Sequence, residues 1–294
     1  MNAFDYRQPD TPEEALALIH ELGEDARVIA GGTALVIMLK QRLVVPDCLI
    51  SLQKLRGLDH IDASNGEIHL GALTTHRSVE RSPVVRTRVP ALAETYHQVA
   101  TIRIRNVATV GGALAHADPN QDSPVMLIAL GARVQLTSTA GTREVPLDEF
   151  FTDYYETVRQ PDELVSEVIV PAPKPHSGSV YLKFLPRTAD DYATVGVAAS
   201  VTIDPATQSC QDCRIAMGCV ASTPVRAQAA EALIRGQRLT QGLAQEVGAL
   251  AQEVTDPLSD ARGSADYKRA MTGVFVRRAL EQAWQRALDV SARG

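Results

Sequence analysis

Val28-Ile29-Ala30-Gly31-Gly32-Thr33 and, far downstream, Ala108-Thr109-Val110-Gly111-Gly112-Ala113 are the stretches on which the reading of this chain turns. Each is a short apolar run delivered into a Gly-Gly step, where backbone N–H groups can face one point with no Cβ in the way. One such loop is a turn. Two, each with a threonine hydroxyl beside it, suit the two halves of a pyrophosphate, the handle shared by dinucleotide cofactors. Neither loop is a Gly-x-Gly-x-x-Gly fingerprint, and no acidic residue stands where that fingerprint needs one for the ribose. No Gly-Lys-Ser/Thr follows either, which rules out a Walker A loop.

Outward from the first loop, Thr11-Pro12-Glu13-Glu14 reads as a helix start, with Thr11 the cap, Pro12 in the first turn and Glu14 closing a capping box. Gly23 ends that helix. A strand over 27–30, the loop over 31–33, a helix over 35–43 and a strand over 48–52 follow, so the first glycine pair precedes a helix N-terminus. Around the second pair, strands are expected over 67–71, 133–139 and 164–170, and a helix near 90–99. Asp122-Ser123-Pro124 opens another helix, ended by Gly131. Proline and glycine from Pro171 to Gly178 mark a linker. Beyond it come three strands, over 180–184, 193–203 and 214–220, and then helices from about Val225, Gln241 and Ser264. Strands followed by helices alone make this an α+β unit in its own right.

The 294 residues are enough for two or three structural units. A formal net charge of −6 argues against nonspecific nucleic-acid binding, which needs a surplus of Lys and Arg. Met1-Asn2-Ala3-Phe4-Asp5-Tyr6 lacks the cationic and apolar regions of a signal peptide, and no run of eighteen apolar residues occurs, so a cytoplasmic location and no membrane span are expected. Cys210 and Cys213 have ligand spacing, yet Cys213, Ile215, Met217 and Cys219 also alternate as one apolar face of a strand. With no fourth ligand nearby, the strand is the expected answer and no metal site is assigned.

Four collinear segments resemble one family. They are Ala30-Gly31-Gly32-Thr33 with Met38-Leu39-Lys40 and Pro46; Ile104-Arg105-Asn106 running into Thr109-Val110-Gly111-Gly112, with Ala117-Asp118-Pro119 and Asp122; Lys183-Phe184 with Arg187 and Asp191-Tyr192-Ala193-Thr194-Val195-Gly196-Val197; and Arg214-Ile215-Ala216-Met217-Gly218 with Thr223-Pro224-Val225-Arg226-Ala227. The chain is similar to the FAD-binding medium subunits of molybdenum hydroxylases, a group that includes subunits of carbon monoxide, quinoline and nicotine dehydrogenases and the FAD domain of xanthine dehydrogenase. The resemblance implies an α+β protein with two α/β FAD-binding subdomains of the PCMH-type fold, residues 1–57 and 58–173. A C-terminal domain over 178–290, a three-stranded antiparallel sheet with a helix bundle, completes it.

The implied activity is that of an electron-transfer oxidoreductase subunit in a heterotrimer, itself expected to form a dimer of heterotrimers. A molybdopterin-binding large subunit oxidises the substrate, a small subunit with two 2Fe-2S clusters relays single electrons, and FAD in this subunit passes them to an external acceptor. By position, Ala30, Gly31, Gly32, Thr33 and Ala34 would meet the pyrophosphate, as would Thr109, Gly111 and Gly112. Asp118 belongs to the same set, and Asp122 would accept a hydrogen bond from a ribitol hydroxyl as a carboxylate at a helix N-cap, against the plainer role of capping alone. Lys183, on the strand face opposite Val180, Leu182 and Phe184, would reach the carbonyl edge of the isoalloxazine, or else stand as an exposed sheet lysine. Tyr192 would shield the ring, or pack as a core tyrosine.

Ala34 and Ala113 stand where many relatives carry polar side chains, which leaves only backbone contacts there. His76 and His116 are acid/base candidates, with hydrogen-bonded structural histidines as the plainer reading. No catalytic residue is assigned, because the flavin supplies the redox chemistry. The competing readings are a self-sufficient FAD-dependent oxidase or reductase of the same PCMH-type fold, and a scaffold that has lost its cofactor.

Overall fold

A computed structural model describes residues 3–185, 188 and 190–292. Strand β1 (Asp5–Arg7) and helix α1 (Pro12–Leu22) open the chain, then β2 (Ala26–Ile29), α2 (Leu35–Gln41) and β3 (Cys48–Ser51). The three strands pair in parallel in the order β1-β3-β2. Thr11 caps α1 through Glu14 N (3.2 Å), but the Glu14 carboxylate reaches back to Asp10 N (2.9 Å) rather than to Thr11. Gly23 ends the helix with φ +52°. One face of α1, with Ala15, Leu16 and Ile19, closes a small core over Cys48, Ile50 and Leu52.

The middle of the chain runs β4 (Ile61–Ser64), β5 (Glu67–Gly71), α3 (His76–Arg81), α4 (Pro83–Arg88), α5 (Pro90–His97), α6 (Ile102–Arg105), α7 (Val110–His116), α8 (Asp122–Ala129), β6 (Arg133–Ser138), β7 (Gly141–Pro146), β8 (Phe151–Asp153), β9 (Glu156–Thr157) and β10 (Leu164–Pro171). Five of these strands make an antiparallel sheet ordered β4-β5-β10-β6-β7, while β8 and β9 form a separate pair. β10 is thus central although it comes last. β4 and β7 are absent from the sequence reading because they are edge strands, with the partly exposed pattern Ile61-Asp62-Ala63-Ser64 and the mostly exposed Gly141-Thr142-Arg143-Glu144. The apolar α8 is buried along its whole length against this sheet's core.

The last part comprises β11 (Ser177–Phe184), β12 (Val195–Ile203), β13 (Cys210–Gly218), β14 (Val225–Arg226), α9 (Gln228–Ile234), α10 (Gln241–Glu253) and α11 (Ala265–Ser291). Its antiparallel sheet has four strands in the order β11-β12-β13-β14, not three. The extra one is the two-residue edge at Val225–Arg226, where a helix start was expected; the helix begins at Gln228. The expected linker is also shorter, since β11 starts at Ser177. Gly178 lies there because any Cβ would collide with the Ala283 carbonyl of α11, so this glycine serves a close helix–strand approach.

One face of the sheet, with Val197, Val201, Cys213, Ile215 and Met217, packs on Phe275, Leu280 and Trp284 of α11. The opposite face sends Tyr181, Ala198 and Ala216 into the core of the middle region. Buried on both sides, the sheet fastens the last third of the chain to α8.

Candidate functional site

The first glycine loop spans residues 30–34, between the end of β2 and the start of α2. Its five amides make no hydrogen bond to any described residue. The helix behind it has Ala34 in the cap position, where no side chain can accept, whereas Thr or Ser caps α1, α3, α4, α6, α7, α10 and α11. Gly32 sits at φ +69°, a left-handed conformation that glycine adopts freely. A row of open amides at a partly exposed loop is an anion-binding surface.

The second glycine pair is built differently: it follows α6 rather than a strand, and Gly111 and Gly112 lie in the first turn of α7, not in an open loop. Thr109 caps α7 by accepting from Gly112 N (3.1 Å). Val110 N donates to Thr74 O (2.9 Å) and Gly111 N to Ala72 O (2.8 Å). The expectation that both loops present free amides is therefore corrected: those of Gly111 and Gly112 are used inside the protein. Gly111 is a glycine because a Cβ there would lie 2.5 Å from the Ala72 Cβ, which would hold α7 away from the end of β5.

The two loops touch. A Cβ on Gly31 would strike the Val107 carbonyl and come within 3.1 Å of Ala108 Cα, and one on Gly112 would stand 3.8 Å from the Ala30 Cβ. The first loop thus rests on the chain that leads into the second. The exposed Gly112 adds bare Cα surface beside the open amides. A diphosphate fits this cradle, the first loop supplying donors and the second a smooth wall.

Of the remaining expected residues, Asp118 and Tyr192 meet. Asp118 Oδ1 accepts from Asn120 N and Nδ2 (both 2.9 Å), and Oδ2 accepts from the Tyr192 hydroxyl (3.0 Å). Tyr192 is 43% exposed and its ring lies under the Arg262 guanidinium at 5.4 Å, so it is not a core tyrosine. Burial and the Asp118 charge push its hydroxyl pKa upward. Arg187 lies outside the described residues.

Asp122 and Lys183 form a second pair. Lys183 is not an exposed sheet lysine: its side chain is 1% exposed, and Nζ donates to Asp122 Oδ2 (2.9 Å) and to Gln98 O (3.0 Å). Tyr181, from the same strand face, donates to Asp122 Oδ1 (2.5 Å). Asp122 does not cap α8, because Gln121 holds that position and Asp122 is the first helical residue. Burial raises the Asp122 pKa against the opposing influence of Lys183. This pair joins α8 to β11.

His76 is buried under the second loop with neither ring nitrogen hydrogen-bonded to a described residue, so the hydrogen-bonded reading is corrected. Burial lowers its pKa to about 4. His116 is likewise lowered by burial and packs on Tyr155 at 5.2 Å. The four cysteines are free and buried, and no group of three metal-ligating side chains occurs among the described residues. A shallow depression lined by Leu239, Thr240, Gln241, Arg277 and Glu281 lies on the C-terminal helices and includes no residue of either loop.

Two glycine steps brought side by side, one with open amides, are the kind of arrangement seen in proteins that bind dinucleotides. Residues 2–173 match the family described as the FAD binding domain in molybdopterin dehydrogenase, and residues 180–283 match the CO dehydrogenase flavoprotein C-terminal domain. The chain belongs to this family, the FAD-binding medium subunits of molybdenum hydroxylases. It is 36% identical to the carbon monoxide dehydrogenase medium chain of Hydrogenophaga pseudoflava over 96% of this chain and 98% of that one.

A solved structure of carbon monoxide dehydrogenase from the same organism, lacking the Mo-pyranopterin moiety, superposes with a TM-score of 0.93 at 38% identity, covering 97% of this chain and 98% of that one. Quinoline 2-oxidoreductase from Pseudomonas putida 86 gives a TM-score of 0.90 at 33% identity, with 98% and 99% covered. The chain is accordingly an oxidoreductase subunit whose cofactor is FAD. No helix among the described residues is long and apolar enough to cross a membrane.

Proposed function

We propose that this chain holds FAD between its glycine loops and serves as the electron outlet of a heterotrimeric molybdenum hydroxylase. The partners are a molybdopterin-binding large subunit and a small subunit with two 2Fe-2S clusters, in a dimer of heterotrimers. The division into units at 1–57, 58–173 and 178–290 is part of the same proposal, and so is a cytoplasmic location, where four free thiols stay reduced.

The observation that carries the reading is the row of amides at 30–34 that donate to no described residue, seated on residues 107–108 and flanked by Gly112. When bound, FAD supplies the redox chemistry, accepting electrons and passing them to an external acceptor. The chain's own work is positioning. Residues 30–34 donate to the diphosphate, Thr109, Gly111 and Gly112 shape the wall against it, and the buried Asp122–Lys183 pair holds α8 and β11 in register beside it. Tyr192, braced by Asp118 and Arg262, presents an exposed ring face. Tyr154 and Tyr155 in the middle loops, and Val254, Leu258 and Tyr267 near the C-terminal helices, are exposed apolar surface for partners.

Thr33→Glu tests the site by placing a carboxylate among the open amides. Tagged chain, purified with the subunits that accompany it, is stripped of flavin and titrated with FAD. Wild type regains FAD while Thr33→Glu does not, and molybdenum and iron co-purify with wild type. Equal FAD affinity in the two proteins would remove the diphosphate from this loop.

A further inference from the structure

Arg105, in the Ile104-Arg105-Asn106 stretch, has no part in the site as described so far. Its side chain is only 9% exposed. Nε donates to Glu80 Oε2 (3.0 Å), while Nη1 donates to Val99 O (2.8 Å) and Ala100 O (2.7 Å). Glu80 is itself held by Arg77 (2.5 Å) and His97 (2.9 Å). Burial opposes ionisation of Glu80, but the hydrogen bonds from His97 and Arg77 and the charge of Arg105 outweigh it and lower its pKa.

The two carbonyls belong to a tight turn in which Ala100 takes φ +40°, a left-handed conformation unfavourable for alanine. Lys183 binds the preceding carbonyl, Gln98 O, so buried cations capture three consecutive carbonyls of the turn. From there the chain runs through α6 to Val107 and Ala108. Ala108 O is fixed from the other side by His76 N (2.9 Å). Val107 and Ala108 are the ledge on which Gly31 rests, with no room for even a Cβ between them.

We propose that Arg105 is the positioning residue of the diphosphate loop: by locking the 98–101 turn to Glu80 it sets the 107–108 ledge, and the ledge aims the five amides of residues 30–34. This rests on the placement of the FAD diphosphate at those amides. The planar guanidinium suits the task because it serves a carboxylate and two carbonyls in fixed directions, which an ammonium on a flexible stem does not reproduce.

The test uses the flavin-stripped protein described above, as wild type, Arg105→Lys, Arg105→Met and Glu80→Gln, titrated with FAD and separately with riboflavin. Riboflavin shares the ring and ribityl chain but lacks the diphosphate and the adenosine beyond it. The ratio of the two affinities therefore reports the grip on the adenosine-diphosphate end of FAD, and a uniform loss of folded protein does not alter it. Arg105→Lys is expected to reduce the ratio about tenfold, the equivalent of one charge-assisted hydrogen bond, and Glu80→Gln to reduce it by less.

If FAD and riboflavin weaken by the same factor, or neither weakens, Arg105 is a general structural residue and the inference is overturned. Should Arg105→Met fail to fold, Arg105→Lys and Glu80→Gln carry the decision. Thr33→Glu separates the two levels. Retained FAD affinity there defeats the site itself, whereas loss there with an unchanged ratio in Arg105→Lys defeats only the role of Arg105.

Discussion

Gly31 and Gly111 lack side chains because other atoms lie where a Cβ would be, the Val107 carbonyl and the Ala72 Cβ respectively. Enlarging Gly111 would damage the protein whether or not FAD is bound, so it cannot report on the cofactor. Thr33 is the cleaner probe. His76, a few residues along the chain from Ala72, gives a second measurable effect. Its folded pKa of about 4 lies below the ordinary value of 6.5, so the unfolded chain takes up the proton first as pH falls. Its contribution to stability is complete above about pH 6.5 and is lost progressively down to about pH 4. Between pH 7 and pH 5 the wild type is expected to lose about 2 kcal/mol that His76→Leu does not lose, measured by urea unfolding. Equal pH dependence in the two proteins would contradict the neutral buried ring.

The sequence made both glycine steps legible as places where the backbone turns or is closely approached, because a Gly-Gly pair after an apolar run leaves no side chain to pack. Their different hydrogen bonding was not. Which amides are spent depends on Ala72 and Thr74, contacts between segments distant along the chain.

Among the elements, β11 and α8 are joined by the most consequential contact, the buried Asp122–Lys183 pair. Removing one partner strands the other charge. Lys183→Met is therefore expected to cost about 3–5 kcal/mol, and Asp122→Asn with Lys183→Met to recover much of it, as read by a double-mutant cycle in urea. Additive single effects would show that the two side chains act independently.

Strands with buried apolar runs were readable, the half-buried Glu67–Gly71 from its alternation and the fully buried Cys48–Ser51 from its length. The edges β4, β7 and β14 were not, since an exposed strand carries no hydrophobic signature. Lys183 was correctly placed on the face opposite Leu182 and Phe184. That this face is also buried became visible only when α8 was seen to lie on it.

At the scale of the molecule, the C-terminal sheet is clamped between α8 and α11. Gly178 allows the second contact, where the Ala283 carbonyl of α11 occupies the space of a side chain. Gly178→Ala should destabilise the protein by about 1–3 kcal/mol through overpacking, and limited proteolysis should then release the α11 end first. Unaltered cleavage would mean that the helix shifts at no cost. The order of regions was legible in the sequence from the change in pattern after Pro171. The proline-rich stretch did not disclose how short the joint is, because composition reports turning tendency and not the packing that pulls Ser177 into a strand.

The place of β10 has a consequence for biosynthesis. As the last strand made yet the middle one of five, it leaves β4-β5 and β6-β7 as two unjoined hairpins while the nascent chain is still on the ribosome. The α7 wall closes only after residue 171 has left the exit tunnel, and Lys183 and Tyr181 emerge later still. A product released before β10 is made therefore carries the unpaired edges of two separate hairpins.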